Sequence, residues 1–99
     1  MALQNQSSQL TAASTTGTAG ASAQLIAANS ERNGLRVTVD TAAAASVYLL
    51  LGTGTASATN FHIVLAAGGS WDGLVSRCLW TGAVQYYSSA GGKVGVAEV

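Results

Sequence analysis

The clearest periodic signal in the chain is Leu35-Arg36-Val37-Thr38-Val39-Asp40, in which every second side chain is apolar. A strand alternates faces, so this stretch is expected to bury Leu35, Val37 and Val39 and to leave Arg36, Thr38 and Asp40 in water. Phe61, Ile63 and Leu65 alternate with His62 and Val64, which predicts another strand ending at Ala67-Gly68-Gly69. Val47 to Leu51 is apolar without interruption and stops at Gly52, the pattern of a strand covered on both faces. Ser22 to Ala28, a less regular Leu74 to Trp80, Ala83 to Ser88 and Lys93 to Val99 bring the total to about seven short strands.

The segments between them carry turn chemistry. Asn33-Gly34 offers the positive-φ residues of a tight hairpin, Ser70 to Gly73 and Thr81-Gly82 break the pattern, and Ala90-Gly91-Gly92 reads as a hairpin turn into the last strand. The alanines between Thr41 and Ser46 favour helix individually, but the run is too short to nucleate one and is expected to be a loop. The pattern as a whole predicts an all-β domain, a small antiparallel β-sandwich or barrel.

The first part of the chain is different. From Met1 to Gly20 the large apolar side chains are Met1, Leu3 and Leu10, and the first charge is Glu31. Ordering a backbone costs roughly 1–2 kcal/mol per residue, which those three side chains do not offset. Residues 1–21 are therefore expected to form an extended or flexible N-terminal arm, and residues 22–99 the β-sandwich domain. An uncharged arm rich in Ser and Thr suits docking along another subunit, with Leu3 and Leu10 as its contact residues.

Composition narrows the function classes. The 99 residues are 48% hydrophobic, but 19 of them are Ala, and Ala, Gly, Ser and Thr make up more than half the chain. One thin-cored domain is the result. Four basic and four acidic residues sum to zero, which leaves no electrostatic footprint for nucleic acid or anionic membrane. A single Cys and a single His exclude an internal disulfide and a structural zinc site, and no cofactor is expected. Neither a membrane-spanning apolar run nor the features of a signal peptide is present, so the protein is expected to act without Sec export.

Catalytic candidates are sparse. His62 could serve a hydrolytic triad with Asp40 or Asp72, but no nucleophile elbow surrounds any serine, and an exposed His on a strand is the simpler reading. Glu31, Asp40, Asp72 and Glu98 lie beside turns and edges and read as solvated charges. Gly52-Thr53-Gly54-Thr55 lacks the lysine and the following helix of a phosphate loop. Cys78 beside Arg77 falls within a strand pattern and is expected to be a small apolar filler. No catalytic residue is assigned. Trp71, Trp80, Tyr86 and Tyr87 can form either a stacking platform for sugars or buried anchors, with Trp80 expected inside. Trp71 and Tyr86, on loops or edges, join Leu3 and Leu10 as interface candidates.

Several runs together resemble a group of small tailed-phage virion proteins: Gln24-Leu25-Ile26-Ala27-Ala28-Asn29, Arg32 to Val37, Val47-Tyr48-Leu49 with Gly52, Leu65-Ala66-Ala67-Gly68 before Trp71, Trp80-Thr81-Gly82-Ala83-Val84, and Val94 to Val99. The likeness spans about Ser22 to Val99, leaves the arm outside, and includes no catalytic signature. It implies a β-sandwich capsid decoration or cement protein that is not an enzyme. The implied partners are the major capsid protein and further copies of the chain, as trimers. The implied location is the capsid exterior, after synthesis in the host cytoplasm. A glycan-binding or host-attachment module, or a tail or fibre component with the same fold, is the alternative.

Overall fold

A computed structural model describes residues 11–17, 21–40, 46–88 and 92–99, and Leu3 and Leu10 lie outside this range. Ten strands run in order: β1 Thr11–Gly17, β2 Ala21–Ile26, β3 Leu35–Val39, β4 Val47–Leu51, β5 Ile63–Leu65, β6 Ser70–Trp71, β7 Leu74–Val75, β8 Cys78–Leu79, β9 Val84–Ser88 and β10 Gly92–Glu98. No described residue is helical.

Eight of the strands build two four-stranded antiparallel sheets, sheet A in the order β1-β10-β3-β6 and sheet B in the order β2-β9-β4-β5. The pairs are nested: β1 with β10, β2 with β9, β3 with β6 and β4 with β5. Only β4 and β5 are sequential neighbours within one sheet, and every other link among these eight strands crosses between sheets. This is the jelly-roll arrangement, a long antiparallel hairpin rolled over on itself. The remaining pair, β7 and β8, is a separate hairpin inserted between β6 and β9.

The inward faces meet in one core. Leu35, Val37 and Val39 of β3 and Val94 and Val96 of β10 face Val47 and Leu49 of β4, Val84 and Tyr86 of β9, and Leu65 of β5. Burial along β3 alternates as its sequence predicts, with Arg36 and Thr38 outward. Leu50 points away from that core yet is only 6% exposed, and the Gly52–Asn60 loop folds over its side of sheet B, with Ala56 buried and Gly54 close to the Leu50 side chain.

Several expectations change. Thr11–Gly17, placed in the arm by composition, is the edge strand of sheet A and pairs with β10 of the same chain. Asn33-Gly34 is not a hairpin turn, because β2 and β3 belong to different sheets and Gly34 is not among the positive-φ residues. Gly92 belongs to β10, and the link from β9 to β10 crosses between sheets rather than closing a hairpin. Leu74 to Trp80 is not one strand but a hairpin that reverses at Ser76-Arg77. Removing residues 1–20 is therefore expected to take a strand from sheet A and bare the β10 edge. Lower thermal midpoint and concentration-dependent light scattering are the readouts, and an unchanged melt would show that β1 adds nothing to the domain.

Candidate interaction surface

The two sheets differ in charge. The strands of sheet B, Ala21–Ile26, Val84–Ser88, Val47–Leu51 and Ile63–Leu65, contain no Asp, Glu, Lys or Arg. Sheet A carries Arg36, Lys93 and Glu98, and Arg36 pairs with Asp72 at 3.0 Å in open solvent.

On the outer face of sheet B the registers set Ser22, Tyr87, Tyr48 and Val64 side by side across its four strands. Phe61, just before β5, packs edge-on against Tyr48 with ring centroids 4.9 Å apart and planes at 61°. Tyr48 and Tyr87 are 6.1 Å apart and tilted by 44°. Phe61 and Val64 remain 38% and 49% exposed, an uncharged aromatic patch open to solvent. Edge-on aromatic packing of this kind fixes ring orientation beyond what area burial alone provides.

The interface residues expected from sequence are distributed differently. Tyr86 is a core residue, 5% exposed, because its position on β9 has the inward parity of Val84. Trp71 is half-buried at the edge of sheet A, opposite Val37, and its indole N–H donates to the Leu74 carbonyl at 3.1 Å. Trp71, Tyr86 and Tyr87 therefore share no surface, and the rings that do meet, Tyr48, Phe61 and Tyr87, are tilted rather than coplanar. Trp80 is half-buried against the core, its indole N–H bound to the Ala83 carbonyl at 2.9 Å. Tyr48 and Val64 were legible as strand residues but not as a surface, since cross-strand register decides which side chains become neighbours, and Phe61, expected in the strand on the face of Ile63 and Leu65, instead precedes β5 and joins the outer face beside Tyr48.

The remaining chemistry is committed elsewhere. His62 Nδ1 accepts the Leu51 N–H at 3.0 Å, and Asp72 is held by Arg36 instead of by His62. Among the described residues no three His, Cys, Asp or Glu side chains cluster as a metal site. Glu98, expected in solvent, is buried beside Arg32, whose side chain is wholly enclosed. Cys78, expected as filler, is exposed on the inserted hairpin.

That hairpin is a second uncovered apolar element. Leu74 and Val75 are 52% and 38% exposed, and Leu79 is half-buried at its base. Its two-residue turn places Ser76 at φ 50° and Arg77 at φ 72°, the left-handed pair of a type I′ turn. Non-glycine residues pay roughly 1–2 kcal/mol each for that conformation. The chain matches no protein family, no curated protein and no solved structure.

Proposed function

We propose that this protein is a structural component of a tailed-phage virion, a decoration or cement protein that binds the outer capsid surface and stabilises contacts between capsomers. The reading is carried by the outer face of sheet B, a four-stranded surface with no charged strand residue and an aromatic patch at Tyr48, Phe61, Val64 and Tyr87. Docking such a face strips no ionised group of water, so apolar burial at roughly 25 cal/mol per Å² is not spent on desolvating charge. Aromatic side chains at the centre of a contact are its usual energetic anchors. The resemblance of Ser22 to Val99 to virion proteins supplies the setting, with the major capsid protein as partner and trimers of the chain on the capsid exterior, and the zero net charge argues against nucleic acid or an anionic membrane as ligand. A sugar-binding platform of Trp71, Tyr86 and Tyr87 is less well served, because Tyr86 is a core residue and Trp71 and Tyr87 lie on different sheets.

The test is binding of the purified protein to undecorated heads. Phe61→Asp combined with Val64→Asp is expected to lower affinity by about 100-fold, the loss of two anchors of at least 1–2 kcal/mol each, while the free domain stays folded with a melt lowered only by the lost Phe61–Tyr48 contact, worth about 0.5–1.5 kcal/mol. Full occupancy by this variant would remove the face from the interface. Failure of the unaltered protein to bind heads, or binding that adds no resistance to heat, would remove the cement reading.

A further inference from the structure

The β7–β8 hairpin differs from an ordinary surface loop: one of its strands exposes two large apolar residues, its turn is strained, and its base is tightly held. The Trp71 indole fixes the Leu74 carbonyl at 3.1 Å, and Trp80 N–H closes the base on the Gly73 carbonyl at 2.8 Å. The buried Arg32 guanidinium donates to the Trp80 carbonyl at 2.7 Å, where the hairpin rejoins the sandwich. Two exposed apolar side chains, Leu74 and Val75, are thus displayed on a preorganised element, which lowers the ordering cost of inserting them into a partner.

The tip adds a charge. Arg32 and Arg36 are paired with Glu98 and Asp72, whereas among the described residues Arg77 has no ion-pair partner. It occupies the turn position where glycine is the unstrained choice, so the strained residue is also the one that presents the cation. We infer that the β7–β8 hairpin is a second docking element, a knob that seats Leu74 and Val75 in an apolar groove of a capsid subunit while Arg77 meets a carboxylate on the rim of that groove. The Tyr48–Tyr87 row lies three residues, about 10 Å, along the strands from the Leu51–Val84 end of sheet B, the end from which the hairpin departs. The hairpin therefore adds a second attachment point to the sheet B patch on the same domain.

The inference rests on the head-binding reading, and one set of binding isotherms on undecorated heads separates the two. Leu74→Ser with Val75→Ser is expected to weaken binding at least tenfold. Arg77→Glu is expected to weaken it at least fivefold in low salt, with the difference from the unaltered protein closing as salt rises. Ser76→Asn with Arg77→Gly supplies the favoured turn pair and is expected to melt a few degrees higher yet bind less well, a divergence that a purely structural turn does not produce. Melts of all three variants in free solution establish that each is folded. Undiminished binding by the Leu74/Val75 variant, or by both Arg77 variants, overturns the hairpin inference and leaves the head-binding reading standing. Hairpin variants that instead dissociate a free oligomer identify a second copy as the occupant and equally overturn it, and an unaltered protein that ignores heads overturns both.

Discussion

Arg32→Ala is expected to destabilise the domain by about 3–5 kcal/mol, the cost of removing one partner from a buried ion pair and leaving the rest unsatisfied. The guanidinium, with no exposed side-chain surface, joins parts of the chain far apart in sequence. Its Nη1 donates to the Trp80 and Gly82 carbonyls at 2.7 and 3.1 Å, and its Nη2 to the Ala27 carbonyl at 2.8 Å. Nε lies 3.6 Å from Glu98 Oε2, too far for a hydrogen bond, and Asn29 Nδ2 donates to the same carboxylate oxygen at 3.1 Å. Removing the side chain takes the guanidinium from three carbonyls and leaves the buried carboxylate without its counter-charge, held by the Asn29 amide alone. A loss of about 3–5 kcal/mol is a large share of the roughly 5–15 kcal/mol a domain of this size typically has in all, and at about 4–8 °C per kcal/mol the thermal midpoint should fall by roughly 12–40 °C. Arg32→Lys keeps the charge but loses the planar fork, and is expected to recover only part of the loss. The contrast is Arg36→Ala: its bond to Asp72 is shorter, 3.0 Å, but both side chains are more than half exposed, and the change should cost no more than about 1 kcal/mol. Equal melts for the Arg32→Ala and Arg36→Ala proteins would refute the claim that burial, not distance, sets the worth of these pairs.

Gly73→Ala is expected to have the next largest effect. Gly73 has φ 77°, and a Cβ built on it lies 2.7 Å from Leu35 Cβ and 2.9 Å from the Leu35 carbonyl oxygen. Neither contact is with the movable end of a side chain, so the backbone of β3 or of the hairpin base must shift. A left-handed alanine at roughly 1–2 kcal/mol and overpacking at roughly 1–3 kcal/mol together give about 2–5 kcal/mol, to be read from denaturant midpoints. Gly34→Ala is the control, since nothing lies within 4 Å of its Cβ position and its φ is not in the left-handed region. It should be neutral within about 0.5 kcal/mol. A Gly73→Ala protein as stable as Gly34→Ala would mean that the hairpin base yields freely, which would also weaken the hairpin as a rigid docking element.

Local pattern alone determined the all-β class, because alternation with a period of two is a property of consecutive residues. It located β3, β4 and the inward valines of β10, and it separated Arg36 and Thr38 from Leu35 and Val37. It also held one unused signal: Glu98 continues the inward parity of Val94 and Val96, and a carboxylate on a core face requires a buried cation. Which cation was not legible, since Arg32 sits 66 positions away in a stretch that reads as a polar turn. The hairpin turn at Ser76-Arg77 was equally invisible, having no Gly, Asn or Pro to mark it. Only the tertiary structure decided that Thr11–Gly17 is an edge strand, that Tyr86 lies inside while Tyr48, Tyr87 and Phe61 meet outside, and that sheet B is the uncharged sheet. The physical reason is common to all of these. Strand faces are set by neighbours in the chain, whereas sheet membership and cross-strand contacts are set by pairing between segments dozens of residues apart, where one jelly-roll register among many buries the apolar faces and satisfies the buried Arg32–Glu98 pair together.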